Sequence, residues 1–376
     1  MDATLDDVYT MINLTPKHMK GKNSMKKLFA LIISLSITLV YLQVPGLASE
    51  NFPYKTGLIP DSYTEILEYM EPTVETRLTL PESVDKTSRF PTPGDQGQQN
   101  SCVGWAVGYA MKSGSEHRKR GWTVSSNNHK FSPAYIYNQI NNGEDQGASI
   151  LDAMDILENQ GACTLPYFPY NQNNYTKQPT AIQTANANLY KASDTHTILG
   201  INNIKEKIYK NYGVVIGIEV YPDFTNLSSS NSIYDTVSGS KQGNHAICLI
   251  GYDDNMGDSG AFKFINSWGT DWGLGGYGWI SYDTVKDAST VLNSAIGYYI
   301  ETSSTDNYIM GDVNNDGTIT TADASLALTV SNNAGSVTAA QFVLADVNGD
   351  AKISQDDARE ILRVAAGQQL EFSLYQ

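Results

Sequence analysis

The sequence predicts an α+β chain: a helix-rich half, then a strand-rich half, then a small all-helical appendage. Three observations carry that reading. Helix-compatible apolar spacing dominates residues 102–161, and short β-rich runs separated by Gly and Asp follow Leu199. Near the C-terminus an acidic loop occurs twice, each copy running into a helix-forming stretch.

Taken in order, the chain opens on an address. From Met25, two lysines lead into an apolar run, Leu28 to Val44, and then small residues at Gly46 and Ala48. This reads as a secretory signal over 25–48, cleaved after Ala48, with 1–24 as a non-native or misannotated start. The alternative is an uncleaved membrane anchor, because Leu28 to Val44 is long for a signal core. Residues 49–79 are polar, with one amphipathic patch, "SYTEILEYM". A helix is expected over about 102–113, a second at "SPAYIYNQI" and a third at "SILDAMDILENQGA", with Gly161 just past its end. The strands expected after Leu199 are "YGVVIGIEVY", "HAICLIGYDD", "AFKFINSWG", "GYGWISYD" and "AIGYYIET".

Composition narrows the function. A net charge of −15 over 376 residues argues against a nucleic-acid partner. Three cysteines cannot all pair internally, so a disulfide scaffold is not expected. A secreted chain this poor in cysteine fits a bacterial exterior. No stable membrane insertion is expected once the signal is removed.

The repeated loops are "DVNNDGTITTAD" and "DVNGDAKISQDD", offset by 34 residues. Oxygen side chains fall at positions 1, 3 and 5: Asp312, Asn314 and Asp316, then Asp346, Asn348 and Asp350. A carboxylate closes position 12, Asp323 or Asp357, and Thr318 and Lys352 offer backbone carbonyls at position 7. That spacing suits a hard, oxygen-seeking cation, so two Ca2+ ions are expected. Gly317 provides the sharp turn at position 6, whereas Ala351 should strain it in the second loop. No preceding helix is expected at either loop, making each a half EF-hand. The duplicated loop–helix module resembles a type I dockerin over about 310–370. The resemblance implies docking onto a cohesin domain of a scaffolding protein in an extracellular, cell-surface cellulosome-type assembly. In that family the partner-choosing positions are 10 and 11 of each loop, here Thr321/Ala322 and Gln355/Asp356.

In the main domain, five histidines and three cysteines allow many pairings, and texture removes most. His117, His129 and His196 lie in charged, Asn-rich or polar surroundings, while His245 opens an apolar strand. Alone, His245 reads equally well as a capped strand-edge histidine. Asn266 ends the next strand, where it could orient an imidazole, and Trp268 could shield that contact from water. Cys102 sits at a helix start, where the dipole favours a thiolate. Gln96, six residues earlier, could join the Cys102 N–H as a second oxyanion donor.

The order Gln-x5-Cys, then His 143 residues later, then Asn-Ser-Trp-Gly, is similar to papain-like cysteine peptidases (C1 type) from about Leu80 to Thr302. The resemblance implies a two-lobed fold, a helical lobe followed by a β-barrel-like lobe, and a secreted endopeptidase acting on protein or peptide substrates. By it, Cys102 is the nucleophile, His245 the base and acid, Asn266 the orienter and Gln96 the oxyanion donor, with Gly147 and Trp268 at the substrate. The chain departs from the family in carrying Gln99 where a disulfide cysteine often stands, and Val103 where an aromatic follows the nucleophile. Cys163 and Cys248 are therefore read as buried apolar residues. The boundaries follow: 49–79 a short pro-segment or linker, 80–302 the peptidase domain, 303–309 a linker and 310–371 the dockerin. The alternative is a papain-fold module without activity that serves only as a dockerin-borne interaction partner.

Overall fold

The computed structural model describes residues 52–72, 78–303, 306, 308–332 and 337–375. The expected signal (25–48) and the stretch before it lie outside the described residues. Among the described residues, no helix is long and apolar enough to cross a membrane.

The amphipathic patch forms a short helix, α1 (Tyr63–Glu68), started by a reciprocal capping box between Ser62 and Glu65. The helix at Cys102, α2, runs further than the sequence suggests. A π-helical stretch, Gly104–Met111, continues as α-helical Lys112–Arg120 and stops at Gly121, whose φ is +73°. Its glycines let α3 (Pro133–Ile140) approach closely: a Cβ at Gly104 would lie 2.5 Å from the Pro133 carbonyl oxygen. The expected third helix is α4 (Ile150–Asn159), capped by the Ser149 side chain.

Two helices of eight and nine residues fall outside the expected set, the first opened by a legible capping box between Thr180 and Gln183. They are α5 (Ala181–Asn188) and α6 (Ile201–Tyr209), the latter inside the region read as strands. His196 is likewise not between elements but within a strand, β2 (Asp194–Leu199), its ring stacked on Tyr299.

The strands are β1 (Ser83–Asp85), β2, β3 (Val214–Val220), β4 (Ile233–Tyr234), β5 (Gly243–Asp253), β6 (Ala261–Ile265), β7 (Tyr277–Ser281), β8 (Val291–Leu292) and β9 (Ile296–Glu301). They form one sheet in the order β2-β9-β3-β5-β6-β7-β4, with β1 beside β5 and β8 beside β3. Strand alternation divides the core. Ala246, Cys248 and Ile250 of β5 join the cluster that holds the helices, while Ile247 and Leu249 pack with Phe262 and Phe264 on the other face. Cys163 and Cys248 are buried free thiols, as the sequence suggested.

The C-terminal module consists of α7 (Thr321–Asn332), α8 (Ala339–Ala345) and α9 (Gln355–Ala365), with α7 packed on α9. Here the expectation fails at one point: α8 leads directly into the second loop. Its start, "TAAQ", is a capping box between Thr338 and Gln341, a legible signal.

Candidate active site

Four elements bring the predicted residues together. Cys102 stands at the first turn of α2, His245 on β5, Asn266 just after β6, and Gln96 in the loop before α2. Pairing of β5 with β6 sets Cys248 opposite Ile265, which places the two strand ends carrying His245 and Asn266 side by side. The His245 Nε2 lies 2.7 Å from Asn266 Oδ1, and that oxygen also accepts the Ser267 N–H at 2.8 Å. The Nδ1 of the same ring is buried without a hydrogen-bond partner. The Cys102 thiol interacts with the N–H of Ala246, the neighbour of His245. Trp268 covers the imidazole, ring centroids 4.7 Å apart.

Gln96 is held in place. Its Oε1 accepts the Ser267 hydroxyl at 2.6 Å, which fixes which way its amide N–H2 points. Ser267 is a positioning residue the sequence reading missed, although it sits inside the Asn-Ser-Trp-Gly run.

Residues 54–59, polar and unremarkable in sequence, lie across this site. Tyr54 stacks on Trp268 at 4.5 Å, and the Trp268 indole N–H donates to the Lys55 carbonyl at 2.8 Å. Gln96 Nε2 donates to the Thr56 carbonyl at 3.2 Å, so the proposed oxyanion donor already holds a carbonyl oxygen. Gly57 and Leu58 donate their N–H groups to the Asn244 carbonyl. On the opposite side Ala148 N donates to Gly57 O at 2.9 Å and Ile59 N to Ala148 O at 2.9 Å. Gly147 (φ +103°) makes this possible, since a Cβ there would fall 2.1 Å from Gly57 O. Leu58 fills an apolar pocket against Gly217, where a Cβ would come 2.6 Å from its Cδ2.

The segment continues as an anchor. Asp61 Oδ1 accepts the Ser149 hydroxyl and the Leu151 N–H at the start of α4, and Tyr69 donates to Asp155 on the same helix. Cys102 and His245 are both wholly buried beneath the segment. Burial pushes the thiol up to about 12 and the imidazole down to about 4, the Asn266 contact opposing the latter only in part. In the covered chain the pair is therefore thiol and neutral imidazole, not the ion pair that the helix dipole alone suggests.

The acidic loops have matching geometry. In the first, Asp312 accepts the N–H groups of Asp316 and Gly317; in the second, Asp346 accepts those of Asp350 and Ala351. Ala351 does adopt the strained turn, with φ +65°. Asp357 Oδ1 is buried without a hydrogen bond of ordinary geometry, an orphaned oxygen that a cation would satisfy. Among the described residues no three Asp, Glu, His or Cys side chains converge unaided on a metal-sized space. The loop chemistry instead mixes carboxylate, Asn and backbone oxygens: Asp312, Asn314, Asp316, Thr318 and Asp323, then Asp346, Asn348, Asp350, Lys352 and Asp357. That donor set fits a hard cation.

Comparison with known proteins agrees with the architecture. Residues 80–298 match the papain family of cysteine proteases and residues 310–363 the type I dockerin domain. An uncharacterized peptidase C1-like protein of Acanthamoeba polyphaga mimivirus is 25% identical over 253 residues, covering 64% of this chain and 78% of that protein. Cysteine proteinase 3 of Entamoeba histolytica is 29% identical over 209 residues, 54% of this chain and 64% of its own. Among solved structures, xylellain, a cysteine protease from Xylella fastidiosa, superposes with a TM-score of 0.57 at 23% identity, covering 67% of this chain and 97% of that one. A procathepsin B from Trypanosoma congolense gives 0.54 at 19% identity, covering 75% and 99%. The chain belongs to the papain family of cysteine proteases and carries a C-terminal type I dockerin domain.

Proposed function

We propose that this chain is a secreted cysteine endopeptidase, held on a cohesin-bearing scaffold by its dockerin and closed before use by residues 52–72. The observation that carries the catalytic reading is the His245–Asn266 contact, which leaves Nδ1 unpaired on the residue next to Ala246, whose N–H meets the Cys102 thiol. Once the segment leaves, water and substrate replace it and the burial that holds the pair neutral is relieved.

The thiol proton passes to His245 Nδ1 as Cys102 Sγ bonds to the carbonyl carbon of the scissile peptide. The resulting oxyanion accepts from Gln96 Nε2 and the Cys102 N–H. His245 returns the proton to the leaving amine, the C–N bond breaks and a thioester remains. Water, losing a proton to His245, then attacks the thioester carbon; the C–S bond breaks, His245 returns the proton to Cys102 Sγ, and the acid product departs. Asn266 fixes the ring for both transfers, and Ser267 fixes Gln96. The Gly147–Ala148 edge and the Asn244 carbonyl would bind substrate backbone where they now bind Gly57 and Leu58.

In the dockerin, the two loop donor sets would hold Ca2+, whose contribution there is structural. The cohesin-facing positions Thr321, Ala322, Gln355 and Asp356 are exposed, and Leu328 and Leu362 show apolar surface beside them.

The test uses the chain trimmed to begin at Leu80. An epoxide cysteine probe should label it at Cys102 near neutral pH, with casein hydrolysis lost in step. Absence of both labelling and hydrolysis would favour the inactive-module alternative. Retention on immobilised cohesin should require calcium; no retention in calcium or in chelator would remove the docking claim.

A further inference from the structure

The dockerin's second loop is built against the peptidase domain, whereas the carboxylate and Asn side chains of the first bond within that loop. Tyr167, buried in the helical lobe, donates its hydroxyl to Asp346 Oδ2 at 2.6 Å. Asp346 is position 1 of the second loop, so a peptidase side chain holds a carboxylate of the dockerin's own ligand set. Asn128 donates its amide to the Asn348 carbonyl at 2.8 Å, and its Cβ lies 3.5 Å from where a Cβ on Gly349 would stand. The C-terminal turn Ser373–Tyr375 completes the contact. Leu374 accepts at its carbonyl from His129 Nε2 at 2.7 Å and donates its N–H to Val347, inside the loop. Tyr375 stacks on Trp122, which is 1% exposed. Nearby, α5 packs on α8 and Arg120 pairs with Asp306 of the linker at 2.7 Å.

Among the described residues, the side-chain hydrogen bonds of Asp312, Asn314, Asp316 and Asp323 in the first loop all run to other residues of that loop. The two halves are alike in sequence and internal geometry but differ in what supports them.

We propose that the second loop is a shared structure, with Tyr167 and Asn128 as its outer positioning shell, so that calcium at this loop and closure of the Trp122–His129 face are linked. This rests on the calcium reading of the dockerin given above. The physical reason lies in Asp346. The Tyr167 hydroxyl and the Ala351 N–H together hold Oδ2 and so fix the rotamer, while Oδ1, which accepts the Asp350 N–H, keeps a second lone pair for an ion at the loop centre. Outer partners of this kind typically change metal affinity by about 10- to 100-fold when removed. Linkage makes the effect reciprocal: what tightens calcium must also be tightened by it. Because Leu374 is hydrogen-bonded to Val347, ordering of the loop carries the turn that covers Trp122.

Calcium titration of the full secreted chain by calorimetry provides the test, with Tyr167→Phe, Asn128→Ala and Asp312→Ala beside the wild type. Two ions are expected for the wild type. Tyr167→Phe should weaken one site about 10-fold and leave the other unchanged. Hydrogen exchange supplies a readout independent of activity. With free calcium at 100 times Kd, exchange over residues 122–131 should slow by up to about 100-fold in the wild type. The slowing should shrink in Tyr167→Phe and Asn128→Ala and persist in Asp312→Ala. Two ions bound with unchanged affinity in Tyr167→Phe would overturn the inference alone, as would tighter binding, which would make the tyrosine a competitor. No calcium bound by the wild type would overturn the inference and the calcium reading together.

Discussion

Truncating Leu58 should open the closed site. Leu58 is 5% exposed, packed where Gly217 leaves room for it, and flanked by the backbone bonds to Asn244 and Ala148. Replacing a buried leucine by alanine costs about 2–5 kcal/mol, the more so when the pocket cannot collapse. Here Leu58 packs on Gly217 of β3 and pairs with Ala148 just before α4. The backbone bonds survive the substitution, so the whole loss falls on the docked state of the segment. At about 1.4 kcal/mol per decade, the undocked population of Leu58→Ala should rise by about 30- to 4,000-fold. Iodoacetamide reaches Cys102 only through that population, so its rate should rise by the same factor. The modified Cys102 peptide is quantified by mass spectrometry, which separates it from Cys163 and Cys248, on molecules whose intact mass still includes residues 52–79. Equal rates for wild type and Leu58→Ala would refute the reasoning. So would an intact wild-type chain that labels as fast as one beginning at Leu80.

Gln96→Ala in the trimmed chain should lower kcat by about 10²- to 10³-fold with little change in KM, read by steady-state peptide hydrolysis. Acid should loosen the cover. The His245 pKa is depressed to about 4 in the covered chain from an ordinary 6.5, so docking is unpenalised above 6.5 and weakens as pH falls from there toward 4. Labelling of the intact chain by an epoxide, corrected for the trimmed chain at each pH, should therefore rise across that window and level off below it. Ala351→Gly should relieve the φ of +65° by about 1 kcal/mol and tighten the second calcium site several-fold, measured by calorimetry.

Much of the site was legible because its residues sit in short local patterns. Asn266 and Trp268 are two residues apart, Gln96 and Cys102 share one loop, and His245 opens a strand whose apolar run is unmistakable. The loops were legible for the same reason, down to the strain at Ala351. What escaped was non-local. Nothing in residues 54–59 marks them for the cleft, because their affinity comes from backbone groups, which every residue has, and from a pocket assembled by Gly217 and Ala148. His196 read as polar loop because β2 pairs with β9, some hundred residues away, and its strand character comes from that pairing. Helix α6 was masked by Asn202 and Asn203 in an Ile-rich stretch that suits a strand as well as a helix.

Both ends of the described chain take hold of the helical lobe, but at different residues. The N-terminal segment uses the start of α4, through Asp61, Ser149 and Leu151, and the cleft beside Cys102. The dockerin uses Asn128, His129 and Tyr167, with Arg120 holding the linker. No hydrogen bond described above is common to the two grips. Sites without shared partners contribute nearly independently. On the proposed reading, release of the cover and loading of the second calcium loop would be separate inputs to one lobe: the first governing access to Cys102, the second how firmly that lobe is fixed to the dockerin. Under the proposed function, anchoring would then not require opening, and opening would not release the anchor.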